Sequence, residues 1–328
     1  MKHSHYYQVK AQTHFELGSK LAVLFKSSSL TTYTSILRKI APKKSTLIDA
    51  QKHLHVSEEY FPQYIEELKG YAHGLDVDFD SFWLTFLFEE LNAYPDKCTS
   101  CFSTDGMIVG HNEDFPLFFE DTISVLEKTI GDKTIFELFY INSLGGSACG
   151  INSHGFIQTI NTLNHTDQQI GVPRNIIARW LSETNNPKIE YEKLKTIKRS
   201  MGYSHTFCDL QGKVVNIESS GTESYLTHPQ LPFVHTNHYL SPLSQFEAKM
   251  VGGNSRDRFM EATKGVGSVK TAQDMMKLLE HISELPSNKN RESNTIARMV
   301  FDLKKKSVWC WLVREKTKGW IEYPLSFI

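Results

Sequence analysis

The sequence contains few cysteines, little net charge and no long apolar run. Its five cysteines in 328 residues are an odd number, and their wide spacing argues against a disulfide framework and for a reducing compartment. The formal net charge of −1 gives no electrostatic sign of a nucleic-acid or anionic-membrane partner. No apolar stretch is long enough to span a bilayer, and the N-terminus lacks the apolar core of a signal peptide. We therefore expect a cytoplasmic protein.

The first ninety residues are predicted to be helical. Aromatic and aliphatic residues recur at helical spacing from Tyr60 to Tyr71, with Ser57 as candidate N-cap and Gly74 as the end of the helix. The segment 80–91 is strongly apolar, which predicts a second, buried helix. With 40% hydrophobic residues, the chain can bury a large core in one domain or two modest ones.

From Asp96 onwards the pattern changes to short β-rich runs separated by turn signals. Helices are expected within this part, and a hairpin is expected near its end. The predicted helices are 173–183, 187–200, 255–264 and 271–283, and the predicted hairpin is 295–313. A helical first part, antiparallel hairpins and helices in blocks indicate an α+β fold with sheets covered by helices. No regular β-α-β alternation supports a doubly wound fold.

The stretch "DKCTSCFSTDGMIVGHNEDFP", residues 96–116, is predicted to be a hairpin with its turn at Asp105-Gly106. A two-residue type I′ turn would pair Cys98 with Glu113. A three-residue loop with a bulge would pair it with Asn112 instead, and would place Cys98 and Asp114 on one face. The sequence leaves both registers open, and both bring Cys98 close to Asp114.

Cys98 and Cys101 form a C-x-x-C pair with four candidate roles. A structural zinc site needs two further ligands of similar spacing, and the chain has no second C-x-x-C. A redox pair would be expected at a strand-to-helix junction and not inside a hairpin. Both thiols could instead pack as small hydrophobic groups, which is common for free cysteine. The fourth role is a cysteine nucleophile.

A nucleophilic Cys98 needs a base and an orienting carboxylate, and Asp114 supplies the carboxylate. The 14 histidines are dispersed, and none stands out as the base. If the peptide bond before Cys98 were cut, the freed α-amine would have a pKa near ~8 and would lie on the nucleophile itself.

That arrangement is typical of N-terminal nucleophile hydrolases, and the sequence resembles one of their families in seven segments of the chain. The segments are "EELKGYAHGLDVDFDSFWLTFLFEEL", "CTS" followed by "GHNEDF", "GINSHGFIQTIN", "VPRNIIAR", "FCDLQGKVVNIESS", "FVHTNHYLSP" and "NSRDRF". The family is the acyl-coenzyme A:6-aminopenicillanic-acid acyltransferases, also called isopenicillin-N acyltransferase-like proteins. Its more distant relatives are the choloylglycine hydrolases and penicillin V acylases.

The resemblance implies a nucleophile and a carboxylate that positions it. Cys98 would become the nucleophile after autocatalytic cleavage of the Lys97–Cys98 bond. Asp114 would hold the catalytic amine and thiol in place. The plainer interpretation of Asp114 is that it caps a turn before Pro116.

Three further side chains are assigned by the same resemblance. Asn237 would donate to the oxyanion, and Asn161 would lie near the carbonyl under attack, with Asn164 as an alternative. Arg258 would steady the site from a following helix, with Arg256 as an alternative. In the plainer interpretation, Asn161 is only a strand-end residue and Arg258 only a surface ion pair. Three aromatic residues, Tyr140, Phe156 and Trp180, are candidates either for an acyl pocket or for the core.

One departure from the relatives is informative. Choloylglycine hydrolases carry arginine where this chain has His111, which argues against bile-salt-type hydrolysis and favours the acyltransferase branch. The long segment 1–97 also fits that branch.

The resemblance implies an αββα sandwich of two antiparallel sheets between helical layers, with a helical pro-segment 1–97 and a catalytic domain 98–328. The expected protein is an autoprocessed cysteine amidase or acyltransferase acting on a small linear amide or thioester, with no metal or organic cofactor. Self-association is left open. The alternative is an unprocessed relative that binds an acylated ligand without turning it over.

Overall fold

The computed structural model describes residues 2–40, 44–91, 97–248, 254–285 and 293–328. The strands are β1 Tyr6–Ala11, β2 Lys97–Phe102, β3 Ile108–Pro116, β4 Ile123–Ile130, β5 Lys133–Tyr140, β6 Cys149–Asn152, β7 Ile157–Thr162, β8 Tyr203–Cys208, β9 Val214–Ser219, β10 Ser224–Thr227, β11 Phe233–His235, β12 Ser293–Asp302, β13 Ser307–Leu312 and β14 Ile321–Pro324. The helices are α1 His14–Leu24, α2 Lys26–Ile40, α3 Lys44–Tyr60, α4 Pro62–Leu75, α5 Phe79–Phe86, α6 Phe88–Leu91, α7 Arg174–Leu181, α8 Pro187–Leu194, α9 Ser255–Val266 and α10 Ala272–Ser283. Within the described ranges, no helix is both long and apolar enough to cross a bilayer.

The strands form two sheets. One has eight strands in the order β1-β4-β5-β6-β7-β8-β9-β10, and the other has six in the order β11-β2-β3-β12-β13-β14. The pairing of β1 with β4 is parallel, whereas the other strand pairs of the two described sheets are antiparallel. The expectation of purely antiparallel sheets therefore fails at this one edge.

Three hydrophobic clusters define four layers. The inner cluster joins side chains of both sheets, such as Val109 and Met299 of one and Val125 and Ile157 of the other. Helices α1 to α5, α7 and α8 cover the outer face of the eight-stranded sheet. Helices α9 and α10 cover the outer face of the six-stranded sheet, where Met275 is buried. The predicted αββα sandwich is confirmed.

The four helices and the last hairpin predicted after residue 96 are all present, although α8 ends at Leu194 and not near residue 200. The predicted N-cap of α4 is wrong. Ser57 lies inside α3, where its hydroxyl donates to the carbonyl oxygen of His53, four residues earlier. Helix α4 begins instead after Phe61, at Pro62, because proline is well suited to the first helical position.

The N-terminal part is not entirely helical. Tyr6–Ala11 forms β1, which pairs with β4 and so makes this part of the chain contribute a strand to the sandwich. The single helix predicted over 80–91 is divided into α5 and α6 at Leu87. The division into segments 1–97 and 98–328 stays a prediction.

A buried ionic cluster joins the N-terminal helices to the rest of the fold. Glu67 of α4 accepts from Arg179 Nη2 of α7 at 3.2 Å, and Nδ1 of His14 lies 2.7 Å from the same carboxylate oxygen. Burial is the largest single influence and raises the pKa of Glu67, but the Arg179 guanidinium, the hydrogen bond to His14 and the charge of Lys128 together outweigh it, and the net pKa lies below the ordinary value. The carboxylate therefore stays charged and compensates a cation that is itself buried.

We expect the substitution Glu67→Gln to lower the free energy of unfolding by roughly 3 kcal/mol, because it removes one of the two carboxylates, Glu67 and Glu183, that compensate the buried Arg179 charge. Urea unfolding followed by circular dichroism measures the loss. Glu66→Gln is the matched control, since Glu66 is exposed and pairs with Lys69 on the surface; its effect should stay within about 0.5 kcal/mol. Equal losses in the two variants would contradict this account of the cluster.

Candidate active site

The hairpin of β2 and β3 fixes which side chains face Cys98. Cys98 pairs with Glu113, and Lys97 pairs with Asp114. This is the register of the predicted two-residue turn. Directly paired residues share a face and neighbours along a strand alternate, so Cys98 and Asp114 lie on opposite faces. The alternative register, which placed them on one face, is wrong.

The turn itself differs from the predicted type I′. Gly106 has a φ of +70°, but Asp105 does not adopt positive φ, so only one of the two required positions is left-handed. Instead the Asp105 carboxylate accepts from the Ser103 hydroxyl at 2.9 Å and from the Met107 amide at 3.1 Å. These side-chain bonds hold the turn without changing the register.

The two thiols of the C-x-x-C pair point to opposite sides of the six-stranded sheet. Cys98 faces Glu113, whereas Cys101 packs under α9 and α10. Burial raises the pKa of the Cys101 thiol to about 12. The interpretations of Cys98 and Cys101 as a zinc half-site or a redox pair are therefore wrong, because an odd spacing along a strand separates the two sulfurs. Packing is the role of Cys101.

The backbone of Cys98 is held on both sides by side chains. Its amide N–H donates to Asn237 Oδ1 at 2.9 Å, and its carbonyl oxygen accepts from Arg258 Nη1 at 2.7 Å. Arg258 also donates through Nη2 to Asn237 Oδ1 at 2.7 Å and through Nη1 to the Thr99 hydroxyl at 2.7 Å. One guanidinium therefore fixes both Cys98 and the side chain that touches the Cys98 nitrogen.

Arg258 is completely buried, and burial lowers the pKa of its guanidinium, which the charge of Asp114 partly offsets. Asp114 accepts from the Thr295 hydroxyl at 2.5 Å. Its position suits it to compensate the buried cation on the side of the strand away from the thiol. The alternative Arg256 is exposed and pairs with Glu247, so the structure brings Arg258 and not Arg256 to Cys98.

The two asparagines differ in what they contact. Nδ2 of Asn237 donates to the Thr162 carbonyl at 3.0 Å, and its Oδ1 faces Cys98, so its contacts are not those of an oxyanion donor. Asn161 accepts from the Ser100 hydroxyl at 2.9 Å and donates to the His235 carbonyl at 3.4 Å. Asn161 is fully buried beside β2, whereas Asn164 is partly exposed.

Two side chains beside the sulfur, His111 and Glu113, were not among the site residues predicted from the sequence, although one of the two hairpin registers paired Cys98 with Glu113. Cys98 Sγ donates to Glu113 Oε2 at 3.5 Å, and Nε2 of His111 lies 2.9 Å from the same oxygen. The Tyr140 hydroxyl donates to Glu113 Oε1 at 2.7 Å. His111 and Glu113 share a face with Cys98 only in the observed register. Because side chains alternate between the two faces along a strand, choosing that register from the sequence would have predicted both residues as neighbours of Cys98.

Cys98 opens onto a cleft. The cleft is lined by Cys98, Glu113, Phe115, Tyr140, Ser143, Ser147, Thr162, Asn175 and Tyr203. A neighbouring, more apolar lobe shares part of this lining and adds Ile36, Phe86 and Phe88 from the N-terminal helices. Of the three aromatic candidates, Tyr140 lines the cleft, whereas Phe156 and Trp180 pack against the core.

Cys98, His111 and Glu113 are also the residues here that could hold a metal ion. One ligand atom of each lies within 4.8 Å of the others, and all three residues are buried.

The chain is similar to a known protein family and to an enzyme of the fly. The family model described as "Acyl-coenzyme A:6-aminopenicillanic acid acyl-transferase" matches residues 101–317, a range that begins just after Cys98. The beta-alanyl-dopamine/carcinine hydrolase of Drosophila melanogaster is 23% identical over 347 aligned positions, which cover 90% of this chain and 89% of the relative.

Two solved structures share 12% sequence identity with the chain. Penicillin V acylase from Agrobacterium tumefaciens has a TM-score of 0.46, with 66% of this chain and 83% of that chain covered. A mutant of conjugated bile acid hydrolase from Clostridium perfringens has a TM-score of 0.47, with 70% and 92% covered. Because the family model spans well over half of the sequence, the chain belongs to the acyl-coenzyme A:6-aminopenicillanic acid acyl-transferase family and is an enzyme of the amide-hydrolysing and acyl-transferring class.

Proposed function

We propose that this enzyme is an N-terminal nucleophile cysteine amidase or acyltransferase that matures by cutting its own Lys97–Cys98 bond. The observation that carries the proposal is the arrangement around Cys98. Its nitrogen and carbonyl oxygen are held by Asn237 and Arg258, while its sulfur lines a cleft. A cysteine that only packs in the core has no need for side chains that hold both its nitrogen and its carbonyl oxygen while its sulfur faces a cleft.

The maturation step follows from the chemistry of the bond. An amide nitrogen is not basic, so an uncut Cys98 carries no base of its own. The sulfur attacks the Lys97 carbonyl carbon, the C–N bond breaks, and the thiol proton goes to the released nitrogen of Cys98. Water then cleaves the Lys97 thioester, giving a carboxylate on Lys97 and restoring the thiol. Cleavage is thus a switch, because it creates an α-amine with a pKa near ~8.

Turnover repeats the same chemistry on a substrate. The α-amine of Cys98 takes the thiol proton, and the sulfur adds to the substrate carbonyl carbon. The amine then gives that proton to the leaving nitrogen, which departs as a free amine and leaves an acyl-thioester on Cys98. Water resolves the thioester in a hydrolase, and a second amine or a thiol resolves it in a transferase.

The neighbours of Cys98 receive positioning roles in this proposal. Asn237 Oδ1 already accepts from the Cys98 nitrogen, so it is placed to orient the freed amine. An oxyanion role for Asn237 requires Nδ2 to leave the Thr162 carbonyl. Asp114 compensates the charge of Arg258, and Asn161 orients Ser100 on the nucleophile strand.

We further propose a substrate with a short, positively charged acyl group. Glu113 is the formally ionic side chain in the described lining of the cleft, and its Oε2 lies 3.5 Å from the sulfur. In a β-alanyl amide the ammonium nitrogen is three bonds from the carbonyl carbon, so it can reach Glu113 when that carbon bonds to Cys98. The fly relative is named for beta-alanyl-dopamine and carcinine, which supports testing amides of this kind.

Cleavage is tested on a denaturing gel. Purified wild-type protein should give two chains, residues 1–97 and 98–328, with Cys98 as a new N-terminus by mass spectrometry. Cys98→Ala should give one chain, because the attacking sulfur is gone. Cys101→Ala is the control and should still be cut, since Cys101 packs on the other face of the sheet. An uncut wild type that hydrolyses no amide would favour the ligand-binding alternative.

The role of Arg258 is tested against its neighbour on α9. Arg258→Lys should slow the cleavage by about 100-fold, because a single ammonium cannot bond Cys98, Thr99 and Asn237 together and the reacting atoms shift. Arg256→Lys is the matched control and should be cut at the wild-type rate, since Arg256 is exposed. Melting curves of both variants exclude unfolding as the cause. Equal rates in the two variants would remove Arg258 from the mechanism.

Substrate preference is tested with a β-alanyl amide and the propionyl amide of the same amine, which lacks only the ammonium group. The kcat/KM of mature wild type should be about 10- to 100-fold higher for the β-alanyl amide, the range expected for a hydrogen bond to a charged group. Glu113→Gln should lose most of that ratio while retaining hydrolysis of the propionyl amide. A ratio near one in the wild type would contradict the proposed acyl group and leave the cleavage proposal intact.

A further inference from the structure

Three ligand-type atoms lie close together: Cys98 Sγ and Glu113 Oε2, whose residues line the cleft, and Nε2 of the buried His111. We name this group the Cys-His-Glu triangle. Its sulfur–oxygen edge is 3.5 Å and its nitrogen–oxygen edge is 2.9 Å, and no two of the three atoms are more than 4.8 Å apart. We propose that the triangle is a binding site for a zinc ion.

The size of the triangle fits the coordination sphere of zinc. Ordinary zinc–ligand bond lengths place a sulfur and an oxygen ligand of a tetrahedral site about 3.6 Å apart, and a nitrogen and an oxygen ligand about 3.4 Å apart. The sulfur–oxygen and nitrogen–oxygen edges differ from these values by about half an ångström or less. Rotation of His111 and Glu113 that lengthens the nitrogen–oxygen edge by about half an ångström would bring these two edges to the zinc values.

The hydrogen bonds on the Nδ1 side of His111 determine which ring nitrogen can coordinate an ion. The amide nitrogen of Asn161 donates to the His235 carbonyl, so its Oδ1 accepts the single hydroxyl proton of Ser100. The Ser100 oxygen must then accept from Nδ1 of His111, which lies 3.1 Å away. With its proton on Nδ1, a neutral His111 presents a lone pair at Nε2, and that lone pair faces a carboxylate oxygen at 2.9 Å.

Two lone pairs at that distance repel each other unless a proton or a metal ion lies between them. The carboxylate is prepared for an ion as well, because Tyr140 donates to Oε1 of Glu113 and leaves Oε2 directed at the triangle. Each of these two ligands thus has an outer hydrogen bond that fixes its orientation, as metal ligands in proteins generally have.

The donor set selects the class of ion. Magnesium and calcium prefer oxygen ligands alone, whereas a thiolate, an imidazole and a carboxylate together suit zinc. A thiolate and a carboxylate also balance the two positive charges of the ion within a buried site. Cys98 and Glu113 line the cleft, so the fourth coordination position is open to water or to a small ligand.

The site has a consequence that rests on the proposed function. The sulfur that would bind zinc is the sulfur that would attack Lys97 and the substrate. Zinc is therefore inferred to act as a reversible inhibitor, holding the thiolate and suppressing both maturation and turnover until it is removed.

The test is a cobalt titration of the full-length protein, since Co²⁺ reports a thiolate ligand through a near-ultraviolet charge-transfer band, followed by displacement with Zn²⁺. Wild type should show the band and lose it on addition of zinc. Cys98→Ala should abolish the band, and His111→Gln and Glu113→Gln should each weaken binding by at least 10-fold. Ser100→Ala should weaken it by about 10- to 100-fold, as the loss of an outer hydrogen bond does at other metal sites.

Cys101→Ala is the matched control and should bind cobalt like the wild type, with melting curves confirming that every variant is folded. A wild type without the band would overturn the site and point to a shared proton between His111 and Glu113. Binding that survives both His111→Gln and Glu113→Gln would overturn it as well.

A second experiment follows the inhibition. Zinc should stop the appearance of the two chains on a gel, and a chelator should restore it. The cobalt band is read whether or not the chain is cut, so a failure of cleavage and a failure of metal binding give separate results.

Discussion

A single buried cation organises the site. The guanidinium of Arg258 donates to the Cys98 carbonyl, to the Thr99 hydroxyl and to Asn237 Oδ1, and it lies completely out of solvent. A charge in that position is tolerated only where hydrogen bonds and an opposite charge replace the lost water. The acceptors around it supply the hydrogen bonds, and Asp114, on the face of the sheet away from the Cys98 thiol, supplies the opposite charge. The position of Cys98 is therefore tied to the burial of Arg258, and a shift of either residue would leave a polar group unsatisfied.

The four-layer architecture explains how that cation can be buried. Arg258 enters from α9, which packs over the outer face of the six-stranded sheet, and reaches the end of β2 through that face. The sulfur of Cys98 emerges on the opposite face, towards the inner cleft. The sheet thus lies between the guanidinium of Arg258 and the cleft that the Cys98 sulfur lines. Because side chains alternate along β2, Arg258 can bond the Cys98 carbonyl and the Thr99 hydroxyl from one face of the sheet while the Cys98 side chain lies on the other face.

The N-terminal part of the chain is integral to the same structure. Its strand β1 extends the eight-stranded sheet, its helix α4 places Glu67 against the buried Arg179, and its last helices line the apolar lobe beside the cleft. A cut at Lys97–Cys98 would leave these contacts in place, because none of them depends on that bond. The released segment would stay bound as a folded partner of the larger chain.

Local patterns in the sequence determined much of this structure. The spacing of apolar residues predicted helices and hairpins after residue 96, and the family motifs pointed to Cys98, Asp114, Asn161, Asn237 and Arg258 as one group. Local pattern could not place Tyr6–Ala11, which is a strand because a distant strand pairs with it. It also could not choose the hairpin register. That choice depends on hydrogen bonds within the turn and on the strands paired at both edges, and it alone brings His111 and Glu113 to the sulfur of Cys98. The sequence determines which side-chain groups are present at each position. The face of the sheet on which each side chain lies is decided only when the strands pair, because a shift of one residue in register moves every side chain to the other face.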